Sequence, residues 1–188
     1  MYEHFNNYLN IKELLLEYKP QLVVELGAEE GASTELYLDF QRLHPFEMVT
    51  ISDSPMSARI ANKPFLQMFK WINGISYIEL RKFEDNSIDF CSIDTDHNYW
   101  TLDQELKILS EKMKVGGIIV LHDTISHRHK SIAQVDGYHN GYPYPIDRVS
   151  AVIHKPMIDA LYEAISRGEY KLLRESPESC GAAAIIKL

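Results

Sequence analysis

Apolar residues in this chain recur as short dense runs separated by stretches with helical spacing. Leu22-Val23-Val24-Glu25-Leu26 is almost wholly apolar and meets Gly27, the pattern of a central parallel strand buried on both faces. Further strand-like runs cover Met48 to Ile51, Leu66 to Ile72, Ile88 to Ile93 and Ile118 to Leu121. Between them the spacing predicts helices over Ser33 to Arg42, Pro55 to Lys63 and Tyr77 to Phe83. A longer one carries Leu102, Leu106, Ile108, Leu109 and Met113, with Gly116-Gly117 expected to close it. An N-terminal helix, Ile11 to Tyr18 within residues 1–20, presents Leu14, Leu15 and Tyr18 as a stripe and is expected to cover one edge of the sheet.

The last third reads differently. Ser126 to Asp147 holds His127, His129, His139, Tyr138, Tyr142 and Tyr144 without a sustained period, so residues 125–148 are expected to form a lid or substrate loop rather than a second metal site. A helix over Ile158 to Ser166 follows, then Tyr170 to Arg174 and Ala182 to Lys187 as a hairpin. The alternation predicts a single α/β domain, 1–188. Its core is a doubly wound, Rossmann-like, mostly parallel seven-stranded sheet with a C-terminal antiparallel hairpin strand.

Charge narrows the function. With 19 basic against 27 acidic residues and a net charge of −8, no basic face is available for a phosphate backbone, so nucleic acid is not an expected partner. No apolar run reaches membrane-spanning length, and the first residues lack a basic stretch followed by an apolar one; a cytoplasmic protein acting on a small molecule is expected. Cys91 and Cys180 lie in or beside strand-like runs and read as reduced core residues. A homo-oligomer is neither indicated nor opposed.

Two places carry the chemistry. The first is the turn Glu25-Leu26-Gly27-Ala28-Glu29-Glu30-Gly31-Ala32-Ser33, where Gly27 permits a tight bend, Gly31 a close approach, and free backbone N–H groups face a ligand beyond the strand end. Glu29-Glu30 would set two negative charges against a dinucleotide's pyrophosphate. Glu25 could hold an ammonium group and Asp53 ribose hydroxyls, so an amino-acid-bearing nucleoside suits the turn better than NAD. The second is a pair of strand ends, Ile93-Asp94-Thr95-Asp96-His97 and Leu121-His122-Asp123-Thr124, each rich in acid and imidazole, which points to one shared site for a cation or a hydrogen-bonded cluster.

The chain resembles the class I S-adenosylmethionine-dependent methyltransferases in E-L-G-x-x-x-G at Glu25 to Gly31, the acid Asp53, Gly74-Ile75-Ser76 after the third strand, and G-G-I-I-V-L-H-D-T at Gly116 to Thr124. It is most similar to a branch of small metal-dependent sugar and natural-product O-methyltransferases, through I-D-x-D-H-x-Y and H-D-T. The resemblance implies that S-adenosylmethionine binds at Glu25, Gly27, Ala28, Glu29, Gly31, Ser33, Asp53, Gly74, Ile75, Ser76 and Asp94. It further implies Mg²⁺ or Mn²⁺ on Asp94, His122 and Asp123, with His97 as general base for a small-molecule or saccharide hydroxyl and Asp94 beside it in catalysis. His122 stands where that branch usually has an acid or amide, and imidazole suits Mn²⁺ better than Mg²⁺. The physical logic is that a dication lowers the acceptor hydroxyl's pKa while a histidine takes the proton. Three alternatives stay open: a metal-independent methyltransferase using His97 alone, a NAD-dependent oxidoreductase, and a non-catalytic nucleoside-binding module.

Overall fold

The computed structural model describes residues 9–63, 67–124, 155–177 and 180–188, and the backbone of 138–139 and 142–143. Its elements are α1 (Ile11–Tyr18), β1 (Leu22–Leu26), α2 (Ala32–Gln41), β2 (Glu47–Ser52), α3 (Ala58–Ala61), β3 (Phe69–Asn73), α4 (Ser76–Glu79), β4 (Ile88–Ile93), α5 (Tyr99–Lys112) and β5 (Met113–His122). A short pair, β6 (Tyr138–His139) and β7 (Tyr142–Pro143), precedes α6 (Met157–Ser166), β8 (Tyr170–Ser176) and β9 (Ala182–Lys187). Most of the expected lid, 125–148, lies outside the described residues; within it β6 and β7 pair antiparallel.

Seven strands form one sheet in the order β3-β2-β1-β4-β5-β9-β8. The pairs β1–β2, β1–β4, β2–β3 and β4–β5 are parallel. β9 runs antiparallel to both β5 and β8, so the hairpin adds the one reversed strand the sequence predicted. The order changes direction at β1 and β4, which opens a crevice beyond their carboxyl ends.

Successive strand residues face opposite sides, and both sides are apolar. Val24, Leu26, Cys91, Ile93, Ile119 and Leu121 pack against α5 and α6 through Leu102, Leu106, Leu109, Ile158 and Leu161. Val23, Met48, Phe90, Ile118 and Val120 pack on the other face, against Leu14 and Leu15 of α1 and Tyr37 and Leu38 of α2. Helix α1 packs on this face and is tied to the edge strand β8, where Arg174 donates to Leu9 O at 3.4 Å and to Glu13 at 2.9 Å. Both cysteines are free thiols, Cys91 in the core and Cys180 half-buried.

One boundary differs instructively. Helix α5 stops at Lys112 rather than at Gly116-Gly117, because Met113 turns extended, is wholly buried and pairs with Ile88. Pairing resumes only at Phe90 with Ile118, so Lys114 to Gly117 form an excursion within β5. Gly116 there has φ +83, which a glycine accepts without strain. The excursion brings Lys114 Nζ to 2.7 Å from Asp89, whose other carboxylate oxygen accepts from the backbone N–H of Gln21 and Leu22 at the start of β1. Periodicity does not reveal such a bulge, since Met113 fits a helix face and a strand equally well. The predicted helices over Pro55 to Lys63 and Tyr77 to Phe83 shrink to single turns, α3 and α4, the latter continued as a 3-10 turn over Leu80–Lys82. Among the described residues no helix is long and apolar enough to cross a membrane.

Candidate active site

The turn after β1 is shaped by contact with the next strand. Gly27 has φ +78, and its N–H donates to Ile51 O of β2 at 2.9 Å. On the other side Asp94 N donates to Leu26 O at 2.8 Å, and a Cβ on Gly27 would sit 2.0 Å from the Asp94 carbonyl oxygen. The ends of β1 and β4 thus touch with no room for a side chain. Glu29 at φ +40 continues the bend and Gly31 at φ +81 starts α2.

A cavity opens beyond this turn. Of the residues expected to bind cofactor, Gly27, Ala28, Glu29, Asp53, Gly74, Ile75, Ser76 and Asp94 line it, together with Ile51, Ser52, Tyr77, Thr95, Asp96 and Thr101, which motif reading missed. Only their position at the end of β2, shortly after β4, or in the first turn of α4 and α5 could have indicated them. Glu25, Gly31 and Ser33 do not line it. The Glu25 side chain is turned into the protein, where one carboxylate oxygen accepts from Thr34 Oγ1 at 2.6 Å and Thr50 Oγ1 at 2.8 Å. It therefore braces β1 against α2 and β2 from below the turn.

Burial pushes the Glu25 carboxyl up to about 7, against the lowering influence of Ser33, Thr34 and Thr50. An acid whose folded pKa is raised holds its proton in the native state after the unfolded chain has released it. Stability is therefore fully present below about 4.5 and is lost as pH rises towards about 7. The loss across that window is on the order of 3 kcal/mol. Urea titrations between pH 4.5 and 6, below the range where His97 and His122 add their own slope, are expected to show most of it in the wild type and little in Glu25→Gln; an equal slope in both would remove Glu25 as the cause.

The second cluster assembles as the sequence anticipated. His97 Nε2 lies 3.0 Å from Asp123 Oδ2 and 3.5 Å from Asp94 Oδ1, while His122 Nδ1 lies 3.3 Å from Asp123 Oδ1 and 3.5 Å from Asp94 Oδ1. Both carboxylates and both imidazoles converge on one spot, backed by Ile93, Leu102, Leu121 and Met157. Asp123 has φ +57, a left-handed conformation that aspartate tolerates better than most residues and that recurs where function over-determines the backbone.

The residue after His97 fixes the approach. Asn98, fully buried, caps α5 by accepting from Thr101 N at 2.9 Å. Asp96 accepts from Asn98 Nδ2 at 3.3 Å and Thr101 Oγ1 at 3.1 Å, which gives it a place holding the cap turn. Tyr99 donates to Glu163 of α6 at 2.6 Å with Lys155 over its ring, tying the start of α5 to the returning chain. Trp100 is buried edge-on to Tyr77 at 5.0 Å, behind the cavity wall.

Lost hydration disfavours charge on both imidazoles, but hydrogen bonds to Asp123 and Asp94 outweigh it, raising His97 to about 9 and His122 to about 10. Lost hydration likewise opposes ionisation of Asp94 and Asp123, and hydrogen bonds from His122 and His97 overcome it, holding both carboxyls below their ordinary range. The two acids and the two imidazoles thus stabilise one another's charged forms. The donor set fits a divalent cation: one ligand atom each from Asp94, His97 and Asp123 lie within 4.8 Å of one another, a triangle that one ion can span. The cavity fits S-adenosylmethionine, with a cradle bare of side chains at Gly27, a carboxylate at Asp53 and apolar surface at Ile51, Ile75 and Tyr77. Glu29 on the wall opposes a pyrophosphate.

A mostly parallel seven-stranded sheet with one antiparallel strand, and a crevice at its switch point, is the Rossmann-like methyltransferase fold. The chain belongs to the methyltransferase domain family, whose profile matches residues 24–124. The rhamnosyl O-methyltransferase of Mycobacterium tuberculosis is 27% identical over 128 residues, 64% of this chain and 52% of the relative. The chain thus spans about half the length of the curated relatives it matches. Two solved structures share the fold. A Staphylococcus aureus protein assigned as a caffeoyl-CoA O-methyltransferase superposes with a TM-score of 0.71 at 16% identity, covering 97% of this chain and 83% of that one. An O-methyltransferase from Bacillus cereus in complex with SAH gives 0.64 at 16% identity, covering 97% and 81%.

Proposed function

We propose that this protein transfers the methyl group of S-adenosylmethionine to a hydroxyl of a small molecule or saccharide, with a divalent cation at the acid and imidazole cluster. The observation that carries this reading is that Asp94 belongs to both places: it lines the nucleoside cavity and is a member of the donor triangle. The two places therefore adjoin at one residue, which sets methyl donor and acceptor oxygen side by side, as in-line transfer requires. The name of the rhamnosyl O-methyltransferase relative supports a sugar acceptor.

The chain's own residues divide the work. Gly27, Ala28 and Glu29 shape the amino-acid end of the cavity, Asp53 offers a carboxylate to the ribose, and Ile75 and Tyr77 offer apolar surface to the base. Asp94 and Asp123 would hold the cation with His122; its charge would replace the proton that the two carboxylates otherwise keep on His97, leaving that imidazole neutral to receive the acceptor's proton at Nε2. A cation held there would supply the positive charge that makes the acceptor hydroxyl more acidic. A second arrangement is favoured by the compact triangle, which includes His97 instead of His122; His97 is then the third ligand and His122 the base.

Protein stripped with EDTA, then given methyl-labelled S-adenosylmethionine and rhamnosides or catechols with or without Mn²⁺, tests the reading. Label is expected in an acid-stable ether on the acceptor only after Mn²⁺ is restored. Equal transfer without metal would favour His97 acting alone, and binding of NAD in place of S-adenosylhomocysteine would overturn the cofactor.

A further inference from the structure

Glu105 is a wholly buried acid in the middle of α5, one the proposed function leaves without a task. It bridges two loops that belong to different strands. Ser76 Oγ, following β3, donates to Glu105 Oε1, and Thr95 Oγ1, following β4, donates to Glu105 Oε2 at 3.0 Å. Ser76 and Thr95 both line the nucleoside cavity, on walls that no strand pairing joins, since β3 and β4 are separated by β2 and β1 in the sheet.

We propose that Glu105 is a positioning residue that fixes the base end of the cofactor cavity and sets its hydrogen-bond polarity. The inference rests on the reading of that cavity as an S-adenosylmethionine site. With Gly27 and Glu29 at the amino-acid end and Asp53 at the ribose, the lining on the side of α4 and the turn after β4 is offered to the base; it includes Ile75, Ser76, Tyr77, Thr95 and Asp96. A hydroxyl has one proton and two lone pairs, and a carboxylate only accepts. Because Glu105 takes the protons of Ser76 and Thr95, both oxygens have only lone pairs left to offer the cavity. A base carrying an exocyclic amino group meets acceptors with donors; one carrying a carbonyl in its place meets lone pairs with lone pairs. Glu105 thus makes the pocket select an amino-bearing purine without touching it, and it holds the two walls at one separation while doing so.

Calorimetric titration of the full chain with S-adenosylhomocysteine and S-inosylhomocysteine tests this. The wild type is expected to prefer the adenosyl compound by at least about tenfold. Glu105→Gln keeps the shape but puts a donor amide against one of the two hydroxyls, freeing that proton to turn towards the cavity, so the preference should fall to within about threefold. Thr95→Val, which leaves Glu105 and its bond to Ser76 in place, is expected to lower the preference as well. A merely structural role would weaken both ligands equally and leave their ratio unchanged. An unchanged ratio in both variants overturns the inference while the cofactor assignment stands. Failure of wild-type protein to bind S-adenosylhomocysteine at all overturns that assignment and the inference with it.

Discussion

Gly27→Ala is expected to abolish binding of S-adenosylhomocysteine and to lower the unfolding free energy by about 3 kcal/mol or more. Two effects add. The backbone at φ +78 disfavours any L side chain by about 1–2 kcal/mol. The added Cβ would also stand 2.0 Å from the Asp94 carbonyl oxygen and 2.7 Å from its carbon, both backbone atoms. Neither partner can retreat, since Gly27 N is bonded to Ile51 O and Asp94 N to Leu26 O. Relief must break a strand-end hydrogen bond or displace Asp94, and displacement takes a cavity wall and a cluster member with it. Urea unfolding and calorimetry measure the two effects. An alanine variant that binds with wild-type affinity would mean the turn is more pliable than these contacts allow.

Substitutions in the acid and imidazole cluster are expected to affect turnover most. Asp123→Asn suits the left-handed backbone at this position, because asparagine accepts positive φ readily, so the variant should fold, with lower stability because His97 and His122 lose a carboxylate partner. It removes one of the two carboxylates that any cation here must use, and Mn²⁺-dependent turnover should drop by at least about a hundredfold. The two histidines then separate the arrangements. A histidine acting as base loses about 10²–10⁴ in kcat on replacement by glutamine while Mn²⁺ affinity holds. A histidine acting as ligand loses affinity first, and excess Mn²⁺ restores part of its rate. Electron spin resonance of bound Mn²⁺ alongside kcat for His97→Gln and His122→Gln decides which is which. If neither variant lowered kcat, proton transfer would lie outside the cluster.

The sequence announced the strand ends clearly and the side-chain directions poorly. Leu22 to Leu26 and Ile88 to Ile93 are dense apolar runs because both faces of their strands are covered, and the polar residues just beyond them had to be functional or capped. Asp94, His97, His122 and Asp123 meet because β4 and β5 are adjacent and parallel, which the alternation of strands and helices implied. Glu25 was misjudged for a matching reason. In a strand the side chain's face is set by parity and by what the neighbouring elements offer, and Thr34 and Thr50 lie on other segments. Glu105 escaped notice because helical spacing marks a polar position without revealing that Ser76 and Thr95 wait there. The start of β5 was hidden by the excursion after Met113, a tertiary pairing with no periodic signature.

The placement of β9 between β5 and β8 has a consequence for the chain as it is synthesised. β8 emerges from the ribosome before β9, yet its place in the sheet depends on β9. Until residues 182–187 are available, β5 has an open edge and β8 has no strand to pair with in this sheet, a state prone to join other chains. The five parallel strands are all synthesised before that point, but the end of β5 is not yet held: His122 pairs with Ala182, and Thr124 N donates to Gly181 O. Closing the sheet and fixing the acid and imidazole cluster are thus one event, and a nascent chain halted before position 182 lacks the strand that His122 pairs with.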